Sequence, residues 1–249
     1  MKERLKSIAQ QLLPISARRR IVQYTRWPPV GFVRLGSLRR LNPISPDWGF
    51  DRGLPVDRYY IEQFLTKHTS DIQGHVLEIK NDLYSSRFGG ERVTELDILH
   101  PEEDNPEATI IADLTCAPHI PDNSYDCIIL TQTLHLIYDV RAVLTTLSRI
   151  LKPGGVLLAT VSGISKISRD DMDRWGHSWS FTTYSARSLF QEFFPTKNME
   201  VEAYGNVLTA VASLHGLASQ ELRRSKLDYY DPDYQVVITI RAVKLELAV

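Results

Sequence analysis

Two cysteines, Cys116 and Cys127, are all that the 249 residues contain, and neither belongs to a disulfide framework or a metal-ligand spacing. That scarcity argues against a disulfide-framed secreted scaffold and for a reducing, cytoplasmic setting. Both cysteines lie in apolar stretches that read as buried core. Long apolar runs are missing as well. No segment approaches the roughly 20 apolar residues needed to cross a bilayer, so a protein not integral to a membrane is expected. Leu5, Ile8, Ala9, Leu12 and Leu13 recur at helical spacing, but lysines interrupt them and no small-residue cleavage site follows. A short amphipathic helix ending at Pro14 is expected there, not a secretion signal. An overall excess of charge is lacking too: 29 Lys and Arg face 30 Asp and Glu, for a net of -1. No global field draws the chain to nucleic acid, which is not expected as a partner.

What is present is an ordinary globular composition, 43% hydrophobic and 24% charged, enough to bury a substantial core and to exclude wholesale disorder. The length suits one large domain or a core with an appendage. Charge is uneven along the chain. Residues 1–40 hold ten basic side chains against the single acid Glu3, a net of +9, which leaves -10 on the remainder. Such asymmetry marks a basic arm lying beside an acidic body, or a surface for a protein partner, a second copy, an external polyanion or a membrane surface. Residues 27–56 are rich in proline and glycine and read as an extended strip wrapping the main domain. The expected organisation is therefore a basic arm and strip over 1–56 and an α/β domain over 57–249.

A helix start is signalled at Pro55-Val56-Asp57, with Ile61, Phe64 and Leu65 at core-facing spacing. Five short apolar runs follow, at residues 75–79, 92–97, 108–113, 125–130 and 156–161. Without strict alternation they suit buried parallel strands. Asp139 can cap a helix whose stripe is Val140, Val143, Leu144, Leu147, Ile150 and Leu151, and Lys152-Pro153-Gly154-Gly155 stops it. Helices over 185–194 and 208–222 and strands over 199–204 and 235–244 complete the pattern. Alternating elements of this kind build an open, doubly wound, mostly parallel sheet. Ligands of such sheets sit outside the carboxyl ends of the strands, where strand order reverses.

Those ends carry candidate groups. Asp97, 19 residues past Glu78, stands where nucleoside-binding sheets place an acid for both ribose hydroxyls; it is equally a turn residue. Asp113 can accept from an adenine amino group or cap the turn at Thr115.

Taken in order, Val76-Leu77-Glu78-Ile79, Val93-Thr94-Glu95-Leu96-Asp97, Ile120-Pro121-Asp122-Asn123-Ser124-Tyr125-Asp126 and Leu151-Lys152-Pro153-Gly154-Gly155 resemble the class I S-adenosylmethionine-dependent methyltransferases. The similarity is closest to their small-molecule, type 11 branch and covers roughly residues 70–195. It implies a seven-stranded Rossmann-like sheet, S-adenosylmethionine as cofactor and a small-molecule acceptor. It also implies cofactor contacts from Glu78, Lys80, Asn81, Asp97, Ile98, Asp113, Leu114 and Gln132. One departure stands out. The family follows its first strand with Gly-x-Gly-x-Gly, and here the positions read Lys80-Asn81-Asp82-Leu83-Tyr84. Arg52, Arg58 or Tyr59 from the preceding strip can aid an adjusted cofactor pose.

The same departure opposes a dinucleotide. A pyrophosphate needs bare amides, and Asp82 sets a carboxylate near its charge. S-adenosylmethionine carries an ammonium and a sulfonium cation and no phosphate, so it tolerates an acidic loop that disfavours NAD. Methyl transfer to a hydroxyl gains from a base, and His135 lies just past the fourth strand; His177 and Asp171 are alternatives. Residues 169–182, rich in aromatic and ionisable groups, resemble the segment that covers the acceptor in type 11 relatives and suit a sugar or glycosylated metabolite. They also read as a packed loop anchored by Trp175 and Trp179. Two functions stand beside each other: a small-molecule O-methyltransferase, and a degenerate, non-catalytic binding fold serving a partner enzyme.

Overall fold

A computed structural model describes residues 14–17 and 27–245. The amphipathic helix expected over 2–13 lies outside the described residues. Two compact units are present, residues 1–42 and residues 43–249. Residues 43–56, assigned to the strip by composition, pack within the second unit: the amides of Ile44 and Ser45 donate to the His215 carbonyl and Ser219 donates to Leu54.

The second unit is built on a seven-stranded sheet in the order β3-β2-β1-β4-β5-β7-β6. Its strands are β1 (Gly74–Ile79), β2 (Val93–His100), β3 (Ile110–Ile111), β4 (Tyr125–Thr131), β5 (Leu151–Ser162), β6 (Met199–Tyr204) and β7 (Val237–Val243). The first five run parallel, and β7 is antiparallel to both β5 and β6. From β1 the chain proceeds to one side through β2 and β3, then returns to the other through β4 and β5. The switch point therefore lies between the carboxyl ends of β1 and β4.

Helices α1 (Val56–Lys67), α2 (Val140–Ile150), α3 (Arg169–Arg174), α4 (Thr183–Phe190), α5 (Val207–Leu214) and α6 (Arg224–Leu227) surround the sheet. Period-two alternation sends Leu77, Ile128 and Leu130 to one core with the α2 residues Val143, Leu144 and Leu147. Val76, Cys127 and Ile129 go to the other with Tyr60, Ile61 and Phe64 of α1. Both faces are covered, which is why the strands read as continuous apolar runs. The Asp139 carboxylate accepts the Ala142 amide at 3.0 Å, capping α2 as its spacing predicts.

Several boundaries differ from the sequence reading. Lys152-Pro153-Gly154-Gly155 stops α2 but is absorbed into the start of β5. β3 shrinks to two residues. The helix expected over 208–222 ends at Leu214, and the rest is turns. β2 runs three residues further than its apolar pattern indicates, to His100. Cys127 is buried, whereas Cys116 is exposed: the turn after Asp113 carries it out of the core.

Candidate functional site

Lys80 follows β1 and Gln132 follows β4, and both adopt left-handed backbone, with φ of 78° and 48°. Side chains rarely tolerate this region, and its appearance on both sides of a switch point marks a site held in shape by its surroundings. Lys80 is fixed by donation from its amide to the Leu99 carbonyl at 3.0 Å and from Asn105 Nδ2 to its own carbonyl at 2.6 Å. Its side chain is exposed. Gln132 Nε2 donates to Thr160 Oγ1 at 3.3 Å, while Ser162 Oγ donates to Gln132 Oε1 at 2.5 Å.

Glu78, at the end of β1, is buried and accepts the amides of Tyr84 and Ser85 at 3.0 and 2.7 Å. Burial raises its pKa and those donors work against the rise. It holds the following loop in place. Asn81 accepts from the Leu83 amide at 3.3 Å. Tyr84 is only 4% exposed. It packs in the α1-side core, and its hydroxyl accepts from Arg58 Nη1 at 2.9 Å. The largest side chain in the glycine-less loop is therefore turned into the core.

Asp97 is not at the end of its strand. β2 continues to His100, and Asp97 lies opposite Leu77 within the sheet. Its carboxylate accepts from Thr109 Oγ1 at 2.8 Å and Tyr125 OH at 3.0 Å and meets His75 Nε2 at 2.9 Å. Burial opposes its charge, but those three donors hold its pKa below the usual carboxylate value. Ile98 is buried beside it. The two residues expected at the strand end therefore lie inside the strand, because it is longer than its apolar run.

The acid at that end is Glu102, which sequence reasoning missed. The run Pro101-Glu102-Glu103-Asp104 was the available signal once the strand is extended. Glu102 Oε2 accepts from Arg174 Nε at 3.0 Å and Glu102 Oε1 from Trp175 Nε1 at 3.2 Å. Arg174 also pairs with Asp104, and the Trp175 ring meets the His100 ring edge at 6.2 Å. α3 and the residue after it are thus fastened to the loop after β2. Next along the rim, Asp113 is exposed and accepts the Thr115 amide at 2.8 Å. Leu114 lies in the core, with its side chain away from solvent.

The His135 and His177 rings come together although 42 residues separate them. His135 sits in a short turn after β4 and is 7% exposed. Its carbonyl accepts the amides of Ser178 and Trp179 at 2.8 and 3.1 Å, which binds the post-β5 segment to this turn. The two imidazole rings are 4.8 Å apart. Neither Nδ1 has a hydrogen-bond partner among the described residues. Burial, then His177, push the His135 pKa down to about 4, with Asp171 working in the opposite direction. An imidazole so placed is neutral near pH 7, and its Nδ1 lies inside the protein.

Beside α3, Pro43, Pro46, Trp48, Lys166, Arg169 and Asp170 line a cavity of about 300 Å³. The Lys166 ammonium lies 4.4 Å from the Trp48 ring centroid. Among the described residues no cluster of His, Cys, Asp and Glu suits a metal ion, and no helix is long and apolar enough to cross a membrane.

Residues 81–159 match the family model of a methyltransferase domain. A solved S-adenosylmethionine-dependent methyltransferase from Archaeoglobus fulgidus superposes with a TM-score of 0.50 at 12% identity, covering 75% of this chain and 94% of that one. A chain of the Haloferax volcanii complex that contains the Trm112 methyltransferase activator superposes with a TM-score of 0.53 at 14% identity, covering 81% and 95%. No curated protein matches the chain.

Proposed function

With a methyltransferase domain over residues 81–159 and the fold of the class I S-adenosylmethionine-dependent methyltransferases as premise, we propose that this chain methylates a small polar acceptor on oxygen. A hydroxyl of a sugar or glycosylated metabolite is the acceptor group, and the cofactor is S-adenosylmethionine.

The rim fits that cofactor. Its ammonium and sulfonium charges and ribose diol suit carboxylates, and Glu102, Asp104 and Asp113 follow β2 and β3. Lys80 keeps the left-handed backbone usual for glycine, and Tyr84 is turned away. We assign Glu102 to the ribose in place of Asp97, Asp113 to the adenine amino group and Gln132 to the switch-point wall. Lys80 and Asn81 follow β1 at the switch point, while Glu78 and Arg58 act indirectly by fixing the loop between them. When bound, the cofactor supplies a methyl group on cationic sulfur, so the protein's main task is alignment of donor and acceptor at about 3–3.5 Å. His135 accepts the proton of the acceptor hydroxyl. Asp171 favours the resulting imidazolium, and His177 lies against the His135 ring. The cavity beside Trp48 and Lys166 receives the distal part of the acceptor, with the aromatic face available to a sugar ring.

The single observation carrying this reading is the His135–His177 pair, which follows β4 and β5 and has neither Nδ1 hydrogen-bonded among the described residues. One observation favours the other reading, a binding fold that serves a partner enzyme: Arg174 and Trp175 already engage Glu102. Turnover separates the two. Radiolabelled methyl transfer from S-adenosylmethionine to glycoside acceptors supports catalysis. Cofactor binding with no transfer to any acceptor of this class, in wild type and in Arg174→Ala alike, favours the binding fold.

A further inference from the structure

The first compact unit carries a surface that methyl transfer does not explain. Within residues 27–41 the side chains of Trp27, Val30, Phe32, Val33, Leu35 and Leu41 are all more than half exposed, with Trp27 at 91%, Phe32 at 71% and Leu41 at 104%. Exposed apolar residues scattered singly need no explanation, but six within fifteen positions are a concentration that calls for an apolar partner. The backbone presents them on successive turns: Phe32 N–H donates to Pro29, and Leu38 N–H to Leu35. Only one short 3₁₀ turn, Gly36–Leu38, interrupts this irregular path. The apolar groups thus project from loops, not from one helical stripe.

Charge identifies the partner. Arg34, Arg39 and Arg40 are interleaved with the apolar residues and are exposed. From Arg4 to Pro46 the sequence contains no acidic residue at all. Apolar side chains that need a hydrocarbon phase, mixed with arginines and flanked by a tryptophan, match the interface of a bilayer bearing anionic headgroups. Aromatic stacking and phosphate pairing on a nucleic acid leave the aliphatic surfaces of Val30, Val33, Leu35 and Leu41 without a counterpart. We infer that residues 27–41 dock the protein reversibly onto an anionic lipid surface, Trp27, Phe32 and Leu41 entering the headgroup boundary while Arg34, Arg39 and Arg40 pair with lipid phosphates. Such docking sets the enzyme beside membrane-borne or membrane-released acceptors without any segment spanning the bilayer.

Flotation of the full-length protein with vesicles tests this. The protein is expected to float with phosphatidylcholine vesicles containing about 30% phosphatidylglycerol and to stay behind with phosphatidylcholine alone, and high salt is expected to release it. Trp27→Ala/Phe32→Ala/Leu41→Ala and Arg34→Gln/Arg39→Gln/Arg40→Gln are each expected to weaken vesicle binding at least about tenfold. All six side chains are exposed, so circular dichroism is expected to stay unchanged. Failure to float with anionic vesicles, or equal flotation of both triple variants and the wild type, overturns the inference. So does a concentration-dependent dimer, seen by sedimentation and lost in the apolar triple variant, when vesicles are not bound; those side chains then serve a second copy.

Discussion

Lys80 and Gln132 close the two strands that flank the switch point, and both hold left-handed backbone that their side chains disfavour. A left-handed residue other than glycine costs about 1–2 kcal/mol. Lys80→Gly relieves this, while glycine's greater freedom in the unfolded chain offsets part of the gain. Thermal unfolding is expected to leave Lys80→Gly within about 1 kcal/mol of wild type, whereas Lys80→Val falls below it by about 1–2 kcal/mol. Equal stability of the glycine and valine variants would remove the strain argument.

Asp97 and Glu102 are predicted to separate fold from ligand. Asp97→Ala leaves Tyr125, Thr109 and His75 without their shared acceptor and is expected to cost about 2–3 kcal/mol of stability. S-adenosylhomocysteine affinity is expected to stay within about twofold in that variant. Glu102→Ala is expected to do the reverse, weakening the ligand about tenfold with little effect on unfolding. Calorimetry and denaturant titration on the two variants decide; a tenfold loss in Asp97→Ala alone would return the ribose contact to Asp97.

Arg174 holds α3 to Glu102 and Asp104. If that contact competes with the nucleoside, Arg174→Ala gains affinity for S-adenosylhomocysteine by about 3- to 10-fold, and protease cleavage near Trp175 becomes faster. Weaker binding in this variant would show that the ion pair supports the bound state.

His135 links stability to pH. Its folded pKa of about 4 lies below the ordinary histidine value, so between roughly pH 6.5 and 4 the unfolded chain takes up a proton that the folded protein does not. The stability present above pH 6.5 is expected to fall by about 3 kcal/mol as pH drops to 4. His135→Gln is expected to lose this contribution to the slope and to slow methyl transfer while keeping cofactor affinity. A slope unchanged in the variant would place the titration elsewhere.

Much of this architecture was legible because local signals agreed. Asp139 capped a strongly periodic helix, and buried strands on both faces read as continuous apolar runs. His135 and His177 read as alternative bases, and their meeting emerges only once β4 and β5 are seen to be neighbours. Asp97 was placed at the strand end for a physical reason. An apolar run shows where a strand is covered, not where backbone pairing ends, and β2 pairs on through His100 beyond its charged position 97. Glu102 and Arg174 were hidden because their relation is an ion pair across 72 residues, which no periodicity encodes. Cys116 and the 208–222 segment failed similarly, since apolar composition alone cannot tell a turn from a buried element.

Isothermal calorimetry of the folded wild-type protein with S-adenosylmethionine and S-adenosylhomocysteine tests the central claim most directly. Saturable one-site binding of both, weakened about tenfold by Glu102→Ala, is the predicted result. Absence of heat with either ligand at millimolar concentration, in wild type and in Arg174→Ala, would contradict it.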